Sequence, residues 1–267
     1  MTDLEQVQYL IKCLQAEMPE YAGYALPDDF SRAFDLYRAL CNLRLPKGKT
    51  GHTLPDRFYI IQAQLLSKVT AKKGITDARK LPASRLDPRL SLWQGDITTL
   101  RADAIVNAAN SQMLGCFVPL HSCVDNLIQT MAGVEMREQL YRLMRAQGRE
   151  EAPGKAKITP GYRLPASFVI HTVGPRVAGS LTPKDEQVLA DCYESVLQLA
   201  DDQQLSSVAF CCISTGVFGF PPAAAAKIAV KTIKSWLDAH KGSSVLKVVF
   251  NVFKDSDRDL YQELLNG

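Results

Sequence analysis

Apolar residues recur at helical spacing through the first third of the chain. Leu4, Val7, Leu10, Ile11 and Leu14 fall three or four apart, the stripe of one amphipathic helix. Pro27-Asp28-Asp29 opens a second stripe through Phe30, Phe34, Tyr37, Leu40 and Leu43. A third begins near Pro55 and runs through Phe58, Ile61, Leu65 and Leu66 toward Val69. Between the last two, Gly48-Lys49-Thr50 has the look of the end of a phosphate loop. That pattern needs a glycine five positions earlier, where Leu43 stands, and a preceding strand, which is missing. Lys47 to Gly51 is therefore expected to be a solvated loop. Residues 1–86 are predicted to form an extension of three helices, with a polar linker from Lys72 to Pro88.

From about Leu90 the period changes. Short apolar runs at Ser91-Leu92-Trp93, Ala104-Ile105-Val106, Phe168-Val169-Ile170, Val208 to Ile213 and Val245 to Phe250 read as strands. Helical patterns fall between them near 124–146, 184–203, 222–240 and 255–265. Nearly continuous apolar strands alternating with helices imply an α/β fold, a mixed central sheet covered on both faces, over residues 87–267. Lys155 to Thr159 and Tyr162-Arg163-Leu164, joined by Pro160-Gly161, are expected to form a hairpin at one edge. In such sheets ligands bind beyond the carboxyl ends of the strands. The loops after Asn110 and after Ile213 are placed there.

Composition narrows the function classes. The chain has 267 residues, 46% hydrophobic and 22% charged, with a net charge of +3. That balance is ordinary for a globular protein and too mild to predict a nucleic-acid partner. No apolar run approaches the ~20 residues of a membrane span. Met1-Thr2-Asp3-Leu4-Glu5 is polar and acidic, unlike a secretion signal. The seven cysteines are odd in number, and Cys211 and Cys212 are adjacent in a strand-like run. A reducing, cytoplasmic setting is expected, where a Cys/His cluster binds metal or reacts rather than oxidising.

The most informative stretch is Cys116-Phe117-Val118-Pro119-Leu120-His121-Ser122-Cys123. Two thiolates and an imidazole suit Zn²⁺, and three protein ligands leave a fourth tetrahedral position open, as in catalytic sites. The alternative is two small buried hydrophobes beside a satisfied loop histidine. A second loop, Ser214-Thr215-Gly216-Val217-Phe218-Gly219-Phe220-Pro221, lies between a strand and a helix. Its glycines allow close backbone approach, and amides ahead of a helix can hold a phosphate. A plain tight turn is the alternative. Asp96, in Gln94-Gly95-Asp96-Ile97-Thr98, is either a cap or an acceptor for a purine amine.

Taken in order, these elements resemble the macrodomain family, which binds ADP-ribose. Gly95-Asp96-Ile97-Thr98 and Ala104 to Asn110 are similar to its opening signature. Val124-Asp125-Asn126-Leu127-Ile128 with Ala132-Gly133 resembles its next helix start. Lys155 to Thr159, His171-Thr172-Val173-Gly174-Pro175 and Ser214 to Pro221 match later motifs. The resemblance covers about residues 88–266. Where macrodomain hydrolases usually carry a glycine-rich run, this chain has Cys116 to Cys123, similar to a microbial zinc-containing branch that also carries a helical extension. Gln129 stands where related hydrolases often have His.

The resemblance implies a three-layer α/β/α macrodomain with an N-terminal helical extension. It implies a hydrolase that removes mono-ADP-ribose from modified protein side chains, acting as a monomer with one Zn²⁺ on Cys116, His121 and Cys123. Asp96 and the Ile97 amide would hold adenine. Ser214, Thr215, Gly216, Val217, Phe218, Gly219 and Phe220 would hold the diphosphate and distal ribose. Cys123, Val124, Asp125 and Asn126 would line the same ligand, and Phe220 or Phe253 would offer it an aromatic face. Asn110 would orient the distal ribose and Asp125 align or deprotonate water, making these two the catalytic residues. Zinc would polarise a ribose oxygen or activate water near neutrality. A non-catalytic ADP-ribose reader remains as an alternative, as does a structural zinc with Asp125 closing its shell. His171 is read as tying strand to loop, and His52 and His240 as surface residues.

Overall fold

The structure, a computed structural model, describes residues 1–267. The extension contains α1 (Asp3–Glu17), α2 (Phe30–Leu43), a single turn α3 (Lys47–Thr50) and α4 (Asp56–Lys73). Thr2 and Glu5 form a capping box at the start of α1, and the Asp29 carboxylate caps α2. These satisfy amides that no helix can pair internally. Leu10, Leu14, Tyr37, Leu40, Phe58 and Leu65 close against one another and are fully or almost fully buried. They belong to one continuous apolar core of 63 residues that also includes the sheet.

The α/β part runs β1 (Thr76–Asp77), β2 (Leu90–Gln94), β3 (Leu100–Arg101), β4 (Ala104–Ala109), α5 (Val124–Ala132), α6 (Val134–Gln147) and β5 (Ala156–Pro160). It continues as β6 (Phe168–Val173), α7 (Pro183–Asp202), β7 (Ser207–Phe210), α8 (Pro222–Ala239), β8 (Lys247–Val252) and α9 (Asp255–Asn266). Six strands form the main sheet in the order β2-β8-β7-β4-β6-β5. All neighbours are parallel except β5, which runs antiparallel to β6 at the edge. Helices α7, α8 and α9 pack in one layer; α5 and α6, backed by the extension, form the other. This is the three-layer α/β/α arrangement expected. The chain leaves β4 for the edge strand β5, comes back through β6 on that side and crosses to β7 on the other, so the order reverses at β4. Ligand crevices open at such switch points.

Four local expectations are corrected. Lys47–Thr50 is a helical turn rather than a loop, because the Glu138 carboxylate accepts the Lys47 amide at 3.0 Å and the Tyr141 hydroxyl reaches Gly48 O at 3.2 Å. The linker is not simply polar: α4 continues to Lys73, and Thr76–Asp77 pairs with Leu100–Arg101. The helical pattern at 124–146 is two helices, broken at Gly133 with φ 96°. The hairpin partner of Ala156–Pro160 is β6, not Tyr162–Leu164; Gly161 lies against the Ala166 carbonyl, where a Cβ would come within 2.0 Å.

Candidate functional site

Four parallel strands end side by side, and each delivers one predicted site segment. Gln94 of β2 leads to Asp96, Val252 of β8 to Phe253, Phe210 of β7 to Ser214, and Ala109 of β4 to Asn110. From β2 to β4 is three interstrand steps, about 14 Å. The predicted adenine end and the predicted metal end thus lie at opposite ends of one strand edge.

Residues 110–123 connect β4 to α5 without regular structure, so side chains hold their shape. Asn110 Nδ2 donates to Gly115 O at 3.0 Å, and Asn126 Nδ2 donates to Val118 O at 3.0 Å. Asn42 Oδ1 accepts the Leu120 amide at 3.1 Å, and the Arg137 guanidinium lies 4.5 Å from the Phe117 ring centroid. Gly115 has φ 81°, and a Cβ there would fall 2.8 Å from Gln129 Cγ, so only glycine fits the bend.

Within this frame the donor atoms of Cys116, His121 and Cys123 all lie within 4.8 Å of one another, each half-buried. Cys116 Sγ is 3.6 Å from His121 Nδ1. A sulfur at about 2.3 Å and a nitrogen at about 2.05 Å from one tetrahedral zinc would sit roughly 3.6 Å apart. The donor set and its spacing therefore fit zinc. Cys123 is also the N-cap of α5, with Sγ accepting the Asn126 amide at 3.4 Å. Burial, with Cys116 and Asp125 adding to it, pushes the Cys123 thiol up to about 12. A bound cation reverses that preference.

Asp125 is one turn away but does not join the cluster. Only 5% exposed, it turns inward, and its Oδ1 accepts Asn107 Nδ2 at 2.8 Å. Burial raises its carboxyl to about 6, against the Asn107 bond and the Arg137 charge. The shell-closing role left open for Asp125 has no support in this arrangement.

Asn107 and His171 are cross-strand neighbours on β4 and β6. Asn107 Nδ2 lies 3.1 Å from His171 Nδ1, and His171 Nε2 lies 2.9 Å from Thr159 Oγ1. His171 is thus in mid-strand, fully buried, rather than tying strand to loop. The pattern puts its single proton on Nε2. Burial holds its pKa down near 3. An unfolded histidine protonates near pH 6.5, so the unfolded state gains protons first as pH falls. Stability from this residue is intact above about pH 6.5 and drains toward pH 3, by about 2 kcal/mol between pH 6.5 and 5. Denaturant midpoints of the native chain and His171→Gln at pH 7 and 5 should show a smaller pH loss in the variant. Equal losses would mean that the buried imidazole carries no such linkage.

The loop after β7 has the features of an anion cradle. The amides of Thr215, Gly216, Val217 and Phe218 donate to no protein acceptor, while Phe218 O and Gly216 O are tied to Val177 and Gly219. Ser214 has φ 64°, and its buried Oγ has no partner. A Cβ on Gly174 would meet that Oγ at 2.0 Å, so the close approach requires glycine. Phe220 does not offer the aromatic face expected of it. It is 1% exposed and fills the core, whereas Phe253 is 75% exposed.

At the other end, Asp96 caps the turn Ile97–Thr99. Its Oδ1 accepts the Thr98 amide at 3.0 Å and hydroxyl at 2.6 Å, and its Oδ2 pairs with Lys73 Nζ at 2.8 Å. Burial opposes its ionisation, but Lys73 and Thr98 hold it below the usual carboxylate range. Lys73, Asn42, Asn107 and Thr159 were not singled out from sequence. Asn107 and Thr159 lay inside motifs without being given a part; Lys73 and Asn42 gave no local signal.

A model of the Macro domain matches residues 106–229. A protein-ADP-ribose hydrolase of Treponema medium is 46% identical over 268 residues, covering 100% of both chains. A protein-ADP-ribose hydrolase of Staphylococcus aureus is 46% identical over 264 residues, 98% of this chain and 95% of that one. Among solved structures, a Trypanosoma brucei macrodomain in complex with ADP-ribose superposes with a TM-score of 0.61 at 26% identity, covering 92% of this chain and 94% of that one. With full-length relatives at this identity, a matching domain model and the six-stranded mixed sheet, the chain belongs to the macrodomain family.

Proposed function

We propose that this chain is a hydrolase that releases mono-ADP-ribose from modified protein side chains, with zinc held by Cys116, His121 and Cys123 beside the distal ribose. The observation that carries this reading is the pairing of two loops at the ends of adjacent parallel strands. The β4 loop gathers three zinc-type donors, and the β7 loop presents four unpaired amides. The names of the Treponema and Staphylococcus relatives support the same activity, and the Trypanosoma structure supports the ligand.

In this reading Asp96 and the Ile97 amide take the adenine, and the amides of Thr215 to Phe218 with Ser214 and Gly219 take the diphosphate. Phe253 supplies an aromatic face. Cys123, Val124 and Asn126, at the start of α5, border the distal ribose. Asn110 orients its hydroxyls. The bond broken joins the anomeric carbon to the acceptor side chain. Water forms the new carbon–oxygen bond as the bond to the side chain breaks, and Asp125 takes the water's proton and passes it on to the departing side chain. Zinc, when bound, supplies a Lewis acid at that end of the cleft.

We assign residues 1–86 to the extension and 87–267 to the macrodomain. All seven cysteines are free thiols, and no helix is long and apolar enough to cross a membrane. A reducing cytoplasm and a monomeric state are part of the same proposal.

The test is release of ADP-ribose from mono-ADP-ribosylated protein by purified chain, with and without a chelator. Turnover that chelation abolishes and zinc restores is expected. Tight ADP-ribose binding with zinc present and no release would make the protein a reader. Separately, Asp96→Ala should weaken ADP-ribose binding by about 1–3 kcal/mol, the cost of leaving a polar partner unmet. Zinc content should not change. An unaltered calorimetric affinity would reduce Asp96 to a cap.

A further inference from the structure

We propose that Asn42, near the end of α2 in the helical extension, is a positioning residue for the metal loop, setting the backbone from which His121 projects. This rests on the reading that Cys116, His121 and Cys123 hold zinc.

Leu120, the residue before His121, has φ 54°. The left-handed region is costly for any residue with a Cβ and persists only where surrounding groups impose it. The Leu120 side chain cannot impose it, being exposed. The restraint is on its backbone: Asn42 Oδ1 accepts the Leu120 amide at 3.1 Å. Asn42 is itself immobile, 1% exposed, with Nδ2 donating to Thr130 Oγ1 at 3.2 Å. Thr130 Oγ1 in turn donates to Asn126 O at 2.9 Å, in the first turn of the helix that Cys123 caps. One carboxamide therefore joins the loop before His121 to the helix after Cys123.

The end of α2 is built to hold that carboxamide still. Arg137 Nη1 caps the carbonyls of Cys41, Asn42 and Arg44 at 2.8, 2.9 and 2.7 Å. The same guanidinium lies over Phe117, the residue after Cys116. Arg44 is buried and pairs with Glu17 of α1 and Glu138 of α6. The extension thus reaches the loop directly beside His121, through Asn42, while Arg137 of α6, tied to the end of α2, reaches it beside Cys116. Groups that orient metal ligands from behind commonly contribute tenfold to a hundredfold in metal affinity.

The test uses the full chain, freed of metal and titrated with zinc against a chromophoric chelator. Asn42→Ala should weaken zinc binding at least tenfold. The thermal midpoint of its metal-free form should move little, and calorimetric ADP-ribose affinity should be kept. Asn42→Asp keeps an acceptor oxygen toward Leu120 and loses the donor to Thr130, so it should retain zinc affinity within about threefold, as should Thr130→Val. Native zinc affinity in Asn42→Ala overturns the proposal. Should Asn42→Ala not fold, tenfold losses in both Asn42→Asp and Thr130→Val would overturn it too, since the Thr130 contact would then be the one that matters. A native chain that takes up no zinc at all overturns the metal reading itself, and this inference with it.

Discussion

Cys116→Ala, His121→Ala and Cys123→Ala should each remove both zinc and hydrolysis. A catalytic zinc site works with three protein ligands, so losing one leaves two, with water filling the other positions. Elemental analysis should find well below one zinc per chain in each variant. Release of ADP-ribose in a single-turnover assay should fall by two orders of magnitude or more, the scale on which a Lewis acid at the reacting bond acts. The fold should survive. The three side chains are half-buried in a loop without regular structure, and the 63-residue core includes none of them. Cys123→Ala also removes a helix cap, an added cost of about 1 kcal/mol that the other two variants do not carry. Full zinc in all three variants would end the assignment.

The second large effect separates chemistry from binding. Asp125→Asn preserves the shape of the side chain and can still accept from Asn107 Nδ2 through its amide oxygen. What it lacks is the charge and the ability to take a proton. Turnover should drop by about 10²–10⁴-fold, the usual contribution of a positioned base. ADP-ribose affinity and zinc content should stay within a few-fold. An interaction made mainly in the transition state lowers the rate and leaves ground-state binding in place. Asn110→Ala should also lose turnover, but less cleanly. Asn110 Nδ2 bonds the Gly115 carbonyl, so its removal loosens the metal loop as well. Zinc content must be measured beside rate for that variant. Retained turnover in both would leave Asn110 and Asp125 without a part in the reaction.

These expectations began in the order of residues along the chain. Three helical stripes, five apolar strands and the order of the motifs marked an α/β sheet with a helical extension, because burial periodicity is a local property. The Cys116–Cys123 octapeptide was legible for the same reason: all its donors lie in one loop. Boundaries were less legible. The strand expected over Val208–Ile213 stops at Phe210, the last residue registered against Phe250 on β8. Gly133, where the 124–146 pattern breaks, was read only as part of a motif.

Local pattern alone accounts for the fold class, the Cys116–His121–Cys123 cluster and the glycine-bearing loop after β7, since each depends on spacing within a few residues. Partnerships between distant segments do not follow from spacing. Asn42 meets Leu120 across 78 positions, Lys73 meets Asp96 across 23, and Asn107 meets His171 across 64. The inward turn of Asp125 and the burial of Phe220 belong to the same class. A side chain's direction and partners depend on which surfaces the folded chain brings against it, and no periodicity encodes that. The polar groups that brace this site come from elements far apart in sequence, because only packing brings a buried donor to its acceptor.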